Sequence, residues 1–360
     1  YISNFFNNGH ERSKKSKKNI ALSLILKIIN IASSLILIPL VLDYLDETRY
    51  GIWLTLSSLV LWFNFFDVGL GNGLRNKLAQ ALAKGEKQLS RKYISTTYAG
   101  LIFISFAFFG IFLFTNIFLD WSKILNTTEV PISELNLLAI IVFGFFALRL
   151  IFKLIVSVLL AHQQPAMRDV IDTASKVLNL IIVFSLLQTT KGKLLYLGIS
   201  YSATPILMLI IFSLILFTGK FKEISPSIKF VDFSLFGDLF KLGGKFFIIQ
   251  IAAVILFSTD NMIITQLYSP AEVIPYSISR QYFAILMMVF SIVIAPFWSA
   301  TTDAFTKSDF GWIKVSVRKL LRIWFIVVIT LIVMLIFSDT IYEIWLGDRV
   351  KIPFRLSAAW

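Results

Sequence analysis

The sequence predicts an all-α polytopic membrane protein built as two pseudo-symmetric helical lobes. Six transmembrane helices are expected in the first lobe and at least three in the second. Three observations lead there. Of the 360 residues, 57% are hydrophobic and only 15% charged, with a mean hydropathy of +0.79; soluble domains sit near half apolar and a quarter charged. Nine apolar runs recur at residues 20–42, 50–70, 93–118, 135–160, 170–188, 194–217, 246–267, 276–300 and 319–338. Runs of about 20 residues are what a hydrocarbon core of about 30 Å requires. Finally, Lys and Arg alternate between connections, with 22 in the odd ones and 6 in the even ones. That bias supports the crossings and places the N-terminus in the cytoplasm.

Residues 1–18 form a basic tail carrying Arg12, Lys14, Lys15, Lys17 and Lys18, suited to an anionic inner leaflet. Residues 19–218 make the N-terminal lobe, 219–245 a charged cytoplasmic linker, and 246–360 an incomplete C-terminal lobe. The first span is too long for a signal peptide and lacks a small-residue cleavage site. Pro205 falls within the sixth span and Pro296 late in the eighth, positions that membrane helices tolerate. The sequence begins at Tyr1 and ends at Trp360, where another apolar run opens near Ile352. A truncated second lobe is therefore expected.

The two lobes read as copies. Tyr50, Lys84 and Trp121 in the first are matched by Tyr276, Lys307 and Trp345 in the second, at offsets of 223 to 226 residues. An offset spanning six helices keeps both copies in one orientation, as in transporters with parallel repeats.

Charges within the spans point to function. Lys27 lies on a polar stripe with Ser23, Asn30 and Ser34, whose spacing places them on one helix face. Arg149 and Lys153 share a face of the fourth span at i, i+4. A cation at mid-membrane costs about 2.5–3.5 kcal/mol, so these residues are expected to face water and an anionic ligand. The alternative is snorkelling or pairing with a carboxylate. Arg280 lies one turn inside the eighth span, where it either lines the same cavity or snorkels. Lys176 follows Asp172 by four residues, which predicts a local ion pair. Asp260, beside Asn261, is a candidate for coupling H+ or Na+, or a partner for Arg280. Asp67 reads as a helix-end anchor. The glycines of DVGLGNGL (residues 67–74) predict close helix packing or a loop start, since they follow a membrane span and lack the dinucleotide spacing.

Much chemistry is excluded. There is no cysteine, hence no disulfide, thiolate metal site or cysteine nucleophile. The two histidines, His10 and His162, are too few for a zinc site, and no Walker loop is present. No catalytic residue, metal or cofactor is expected. The net charge of +13 suits anionic lipid or an anionic substrate better than nucleic acid.

YGIWLTLSSLVLWFNFFDVGLGNGLRNKLAQALAKGE (residues 50–86) resembles the corresponding stretch of bacterial polysaccharide-biosynthesis membrane proteins. These are the O-unit flippases of the multidrug/oligosaccharidyl-lipid/polysaccharide exporter superfamily. TDNMIITQLYSPAEVIPYSISRQYF (residues 259–283) is similar to the start of that family's second lobe. The Gln164 to Arg168 connection resembles the family less closely. The resemblance implies two six-helix lobes around a cationic cavity in the bacterial inner membrane. It implies a non-enzymatic translocation of polyprenyl-diphosphate-linked oligosaccharide, with membrane lipids as the other partner. Lys27, Arg149, Lys153 and Arg280 would contact the diphosphate, and Asn30, Ser34 and Asn261 would supply a polar cavity face. A cation-coupled drug exporter of the same superfamily is the alternative. A membrane-embedded glycosyltransferase or polymerase fits less well, because the longest outer connection, 119–134, holds only Asp120, Glu129 and Glu134.

Overall fold

The computed structural model describes residues 11–62, 69–239, 259–306 and 309–359. Among them the regular structure is all helical, with no strand. Seven helical segments are long and apolar enough to cross a membrane: Leu22–Tyr44, Lys87–Asn116, Ile132–Ala161, Pro165–Thr189, Leu194–Thr218, Val273–Phe290 and Phe310–Ile336. Each matches one of the nine expected spans. Of the other two, 50–70 is described as the helix Glu47–Trp62, with residues 63–68, Asp67 among them, outside the described residues. Most of 246–267 also lies outside them. An all-α polytopic membrane protein is thus the architecture.

Two compact units are formed, Tyr1–Ala271 and Glu272–Trp360. The first contains α1 (Glu11–Tyr44), α2 (Glu47–Trp62), α3 (Leu70–Ala83), α4 (Lys87–Asn116) and the short α5 (Trp121–Ile124). It continues with α6 (Ile132–Phe152), α7 (Leu154–Ala161), α8 (Pro165–Thr189), α9 (Leu194–Thr218) and α10 (Asp260–Leu267). The second contains α11 (Val273–Thr306), α12 (Phe310–Ile336), α13 (Ser338–Leu346) and α14 (Phe354–Ser357). There Tyr282 packs against Phe283 and Tyr342, and the Tyr342 hydroxyl bonds with Ser279 and Ser357.

The connection after the second span is largely helical. In α3, Leu70, Leu74, Leu78 and Ala81 are buried, at spacings that make one apolar stripe. They join a core with Ile94, Leu154, Ile155, Val158 and Leu159. Gly85, at φ 74°, ends the helix: the Glu86 amide bonds to the Ala81 carbonyl and the Gly85 amide to Leu82, the arrangement a left-handed residue permits. Helix packing accounts for Gly73, where a β-carbon would lie 2.3 Å from the Leu239 carbonyl oxygen.

The linker is anchored on α4. Its three 3-10 turns, Lys222–Ile224, Ile228–Phe230 and Phe233–Leu235, run beside the polar start of that helix. Arg91 Nε donates to the Ser225 carbonyl and its guanidinium stacks on Phe230. Lys92 pairs with Asp232 at 3.0 Å, while the Asp232 amide donates to Thr96 Oγ1 at 2.9 Å. Hydrogen bonds from the Ser234 hydroxyl and Lys92 hold the Asp232 carboxyl below the usual range. A carboxyl depressed in the folded state stabilises it at all pH above its unfolded value, and that contribution is lost as pH falls through the depressed value.

α10, expected at the start of the second lobe, packs against α2 within the first unit. Thr55 and Thr265 hydroxyls meet at 2.6 Å. Asn126 Nδ2 donates to the carbonyls of Thr265 and Tyr268, and Gln266 Nε2 to those of Lys123 and Ile124. The chain passes so near α2 that a β-carbon on Gly51 would lie 1.8 Å from the Pro270 carbonyl oxygen. Overpacking of this kind costs about 1–3 kcal/mol. Gly51→Leu is therefore expected to lower the thermal unfolding temperature in detergent, whereas the same change at Gly110, where a β-carbon meets nothing within 4 Å, should not. Asp232→Asn is expected to raise amide exchange in residues 225–235 at neutral pH, and wild type should reproduce that only below the ordinary aspartate range.

Candidate functional site

A cavity of about 460 Å³ lies inside the first unit, walled by α3, α4, α6, α7, α8 and α9. Arg149, Lys153 and Ser157 reach it from α6 and α7 and the residue between them, at successive four-residue steps. That is one helix face. Arg168, Asp172 and Ser175 reach it from α8 at i, i+4 and i+7, and Asn72 from α3. Leu101, Leu150 and Leu154 supply apolar wall. Three cations and one carboxylate thus face one space.

The local geometry sets these side chains apart. Lys153 stands between α6 and α7. Its amide still bonds to the Arg149 carbonyl at 2.9 Å, but its own carbonyl accepts from Val156, three residues on, at 3.0 Å. Such tightened winding within a helix often accompanies function. The Lys153 side chain is exposed and Arg149 is half-buried. Asp172 pairs with Arg168 at 3.5 Å along α8, and both remain about half exposed. The carboxylate is therefore shared with a cation of its own helix and cannot neutralise all three.

Lys176 corrects the expectation of an Asp172–Lys176 ion pair. Its ammonium donates to Asn30 Oδ1 at 2.8 Å and Ser34 Oγ at 2.6 Å. The polar stripe of α1 therefore meets α8, and Thr173 Oγ1 adds a bond to the Leu26 carbonyl at 3.2 Å. Asn30 and Ser34 act as acceptors for a lysine instead of lining the cavity described above. Lys27 is half-buried on the same helix, one turn before Asn30.

The remaining candidates are dispersed. Asp260 opens α10. Asn261 Nδ2 donates to the Leu54 carbonyl at 3.4 Å, while its Oδ1 is buried and, among the described residues, has no hydrogen-bond partner. Arg280 is half-buried in α11 of the second unit. Arg168, Asn72, Ser157 and Ser175 were not among the expected site residues. The i, i+4 pairing of Arg168 with Asp172 and the four-residue step from Lys153 to Ser157 were the available signals. His162 bonds through Nδ1 to the Val158 carbonyl at 2.9 Å and stacks on Phe221; that burial pushes its imidazole below the usual histidine range. Among the described residues no group of His, Cys, Asp and Glu is placed to hold a metal ion.

Long apolar helices around an internal polar cavity define a polytopic membrane protein of transporter-like fold. The family of polysaccharide biosynthesis proteins matches residues 16–309, and the chain belongs to it. A protein of Salmonella typhi named "Putative O-antigen transporter" is 24% identical over 315 residues, covering 84% of this chain and 67% of that protein. Among solved structures, an inward-facing multidrug resistance MATE family transporter of the MOP superfamily gives a TM-score of 0.72 at 9% identity, covering 94% of this chain and 78% of that one. A MOP superfamily transporter from Pyrococcus furiosus gives 0.60 at 13% identity, with 91% and 74% covered. That protein is described as having a binding pocket of reversed polarity that suggests a different function. At such identities the likeness establishes the fold.

A buried donor left without its acceptor costs about 1–3 kcal/mol. Asn30→Leu is accordingly expected to destabilise the protein by that order, and Lys176→Met in the same background should recover most of the loss. A double-mutant cycle on thermal unfolding in detergent measures the coupling.

Proposed function

We propose that this chain forms a large part of an exporter that carries polyprenyl-diphosphate-linked oligosaccharide across the bacterial inner membrane by alternating access. The observation that carries the reading is the convergence of Arg149, Lys153 and Arg168 on one cavity against the single carboxylate of Asp172. An anionic diphosphate relieves the repulsion among the three cations. It also accepts charge-assisted hydrogen bonds, which are about twice as strong as neutral ones. The names of curated relatives point the same way. So does the family to which the chain belongs.

In this reading the two lobes are parallel repeats that rock about the substrate, with the N-terminus in the cytoplasm. Lys27 extends the cationic path, and Asp260 takes up a coupling H+ or Na+. The polyprenyl chain stays in lipid. The protein performs no bond-making chemistry. The rival reading, a cation-coupled drug exporter, draws on the MATE-like fold. It is disfavoured because a cationic drug would meet a cavity already rich in positive charge.

The test uses the protein in nanodiscs. Each hydrogen bond to a charged group contributes about 1.5–3 kcal/mol, so Arg149→Ala with Lys153→Ala should weaken binding of a polyprenyl diphosphate by at least tenfold. Surface polysaccharide in cells should fall in parallel. Unchanged binding and unchanged polysaccharide would reject the assigned site. Binding of lipophilic cations that strengthens in the same variant would favour drug export.

A further inference from the structure

The linker's surface chemistry is one-sided. Residues 220–239 contain three carboxylates, Glu223, Asp232 and Asp238. Each is ion-paired to a lysine of the helices behind it, Lys87, Lys92 and Lys77 respectively. The linker's own lysines, Lys220, Lys222 and Lys229, are exposed, and among the described residues none of them is ion-paired to a carboxylate. The exposed charges of the linker that have no ion-pair partner are therefore basic.

The linker also exposes large apolar side chains. Ile228 is 92% exposed and Phe233 68%. Each belongs to a short 3-10 turn whose backbone is fixed to α4, through the Ser227 amide on Ser95 Oγ at 3.0 Å and the Asp232 amide on Thr96 Oγ1. The two side chains are thus held outward by an anchored backbone.

Depth follows from what the linker touches. Its contacts on α4 run from Lys87 to Gly100, where the Phe236 ring packs. At 1.5 Å per residue that is about 20 Å of helix axis. Residues 87–97 read KQLSRKYISTT, and the apolar run LIFISFAFFG, interrupted by Ser105, starts at Leu101. Ile228 and Phe233 therefore sit beside the last polar turns before the hydrocarbon, at headgroup level. Apolar tips flanked by lysines at that depth match a surface of anionic lipid, where each basic residue contributes about 1 kcal/mol.

We propose that residues 220–239 are an in-plane membrane anchor. Ile228 and Phe233 enter the headgroup–acyl boundary, and Lys222 and Lys229 bind anionic lipid heads. The anchor fixes the cytoplasmic end of α4 to the bilayer surface and is independent of the substrate cavity.

The chain contains no cysteine, so single-site labels need no background mutations. Ile228→Cys, Phe233→Cys and, as a control outside the anchor, Lys84→Cys would be spin-labelled in the protein in nanodiscs. Lys84 is exposed in the turn between α3 and α4. Phosphatidylcholine discs with and without phosphatidylglycerol would be compared by oxygen and water-soluble nickel relaxation. The expected result is an oxygen-to-nickel ratio several-fold higher at 228 and 233 than at 84. It should rise further with phosphatidylglycerol, and Lys222→Gln with Lys229→Gln should abolish that rise. Nickel accessibility at 228 and 233 equal to that at 84 in both discs would overturn the anchor. Labels immobilised equally in detergent would overturn it too, by indicating a protein contact. Insertion indifferent to phosphatidylglycerol would overturn the headgroup assignment.

Discussion

Like charges cannot be crowded into an apolar bundle unless something else is arranged around them. Arg149, Lys153 and Arg168 share one space in the first unit, and Asp172 is already engaged by Arg168. Each cation would cost about 2.5–3.5 kcal/mol at mid-membrane if lipid were its neighbour. The surrounding helices answer with a cavity whose wall also includes Asn72, Ser157 and Ser175. α7, which follows the helix that carries Arg149, is held by Ile155, Val158 and Leu159, buried in a core shared with α3. Packing there fixes where the charges point.

A second cation is handled differently within the same lobe. Lys176 is kept by Asn30 and Ser34, neutral acceptors on α1. A neutral amide and a hydroxyl satisfy two of its three donors without cancelling its charge. The seam between α1 and α8 therefore carries net positive charge, close to a cavity that is itself positive. Taken together, these residues give the interior of the lobe an excess of positive charge.

How far the sequence could be read depended on what each signal measured. Span number and helical class came from hydrophobic length, a property of every residue in a run, and seven runs coincide with helices in the structure. The pairing of Arg149 with Lys153 was legible because i, i+4 geometry is local to one helix. Arg168 and Asn72 were not, because their place in the cavity depends on how α3 and α8 pack, which no single-helix pattern encodes. The ion pair expected for Lys176 failed for the same reason: the i−4 carboxylate was real, but acceptors on another helix stood nearer. α3 was hidden by its charges. Arg75, Lys77 and Lys84 interrupt the apolar pattern, although Leu70, Leu74, Leu78 and Ala81 carry a helical stripe.

The contacts that hold α10 to the first unit share one property. Thr55 on Thr265, Asn126 on two carbonyls and Gln266 on two more are all bonds between uncharged groups. Ionic strength has little purchase on them, since screening acts on formal charge. Nor does separating such groups displace charge through the membrane's electric field, which does work only on charges that move. A voltage dependence in this region would have to originate in other residues.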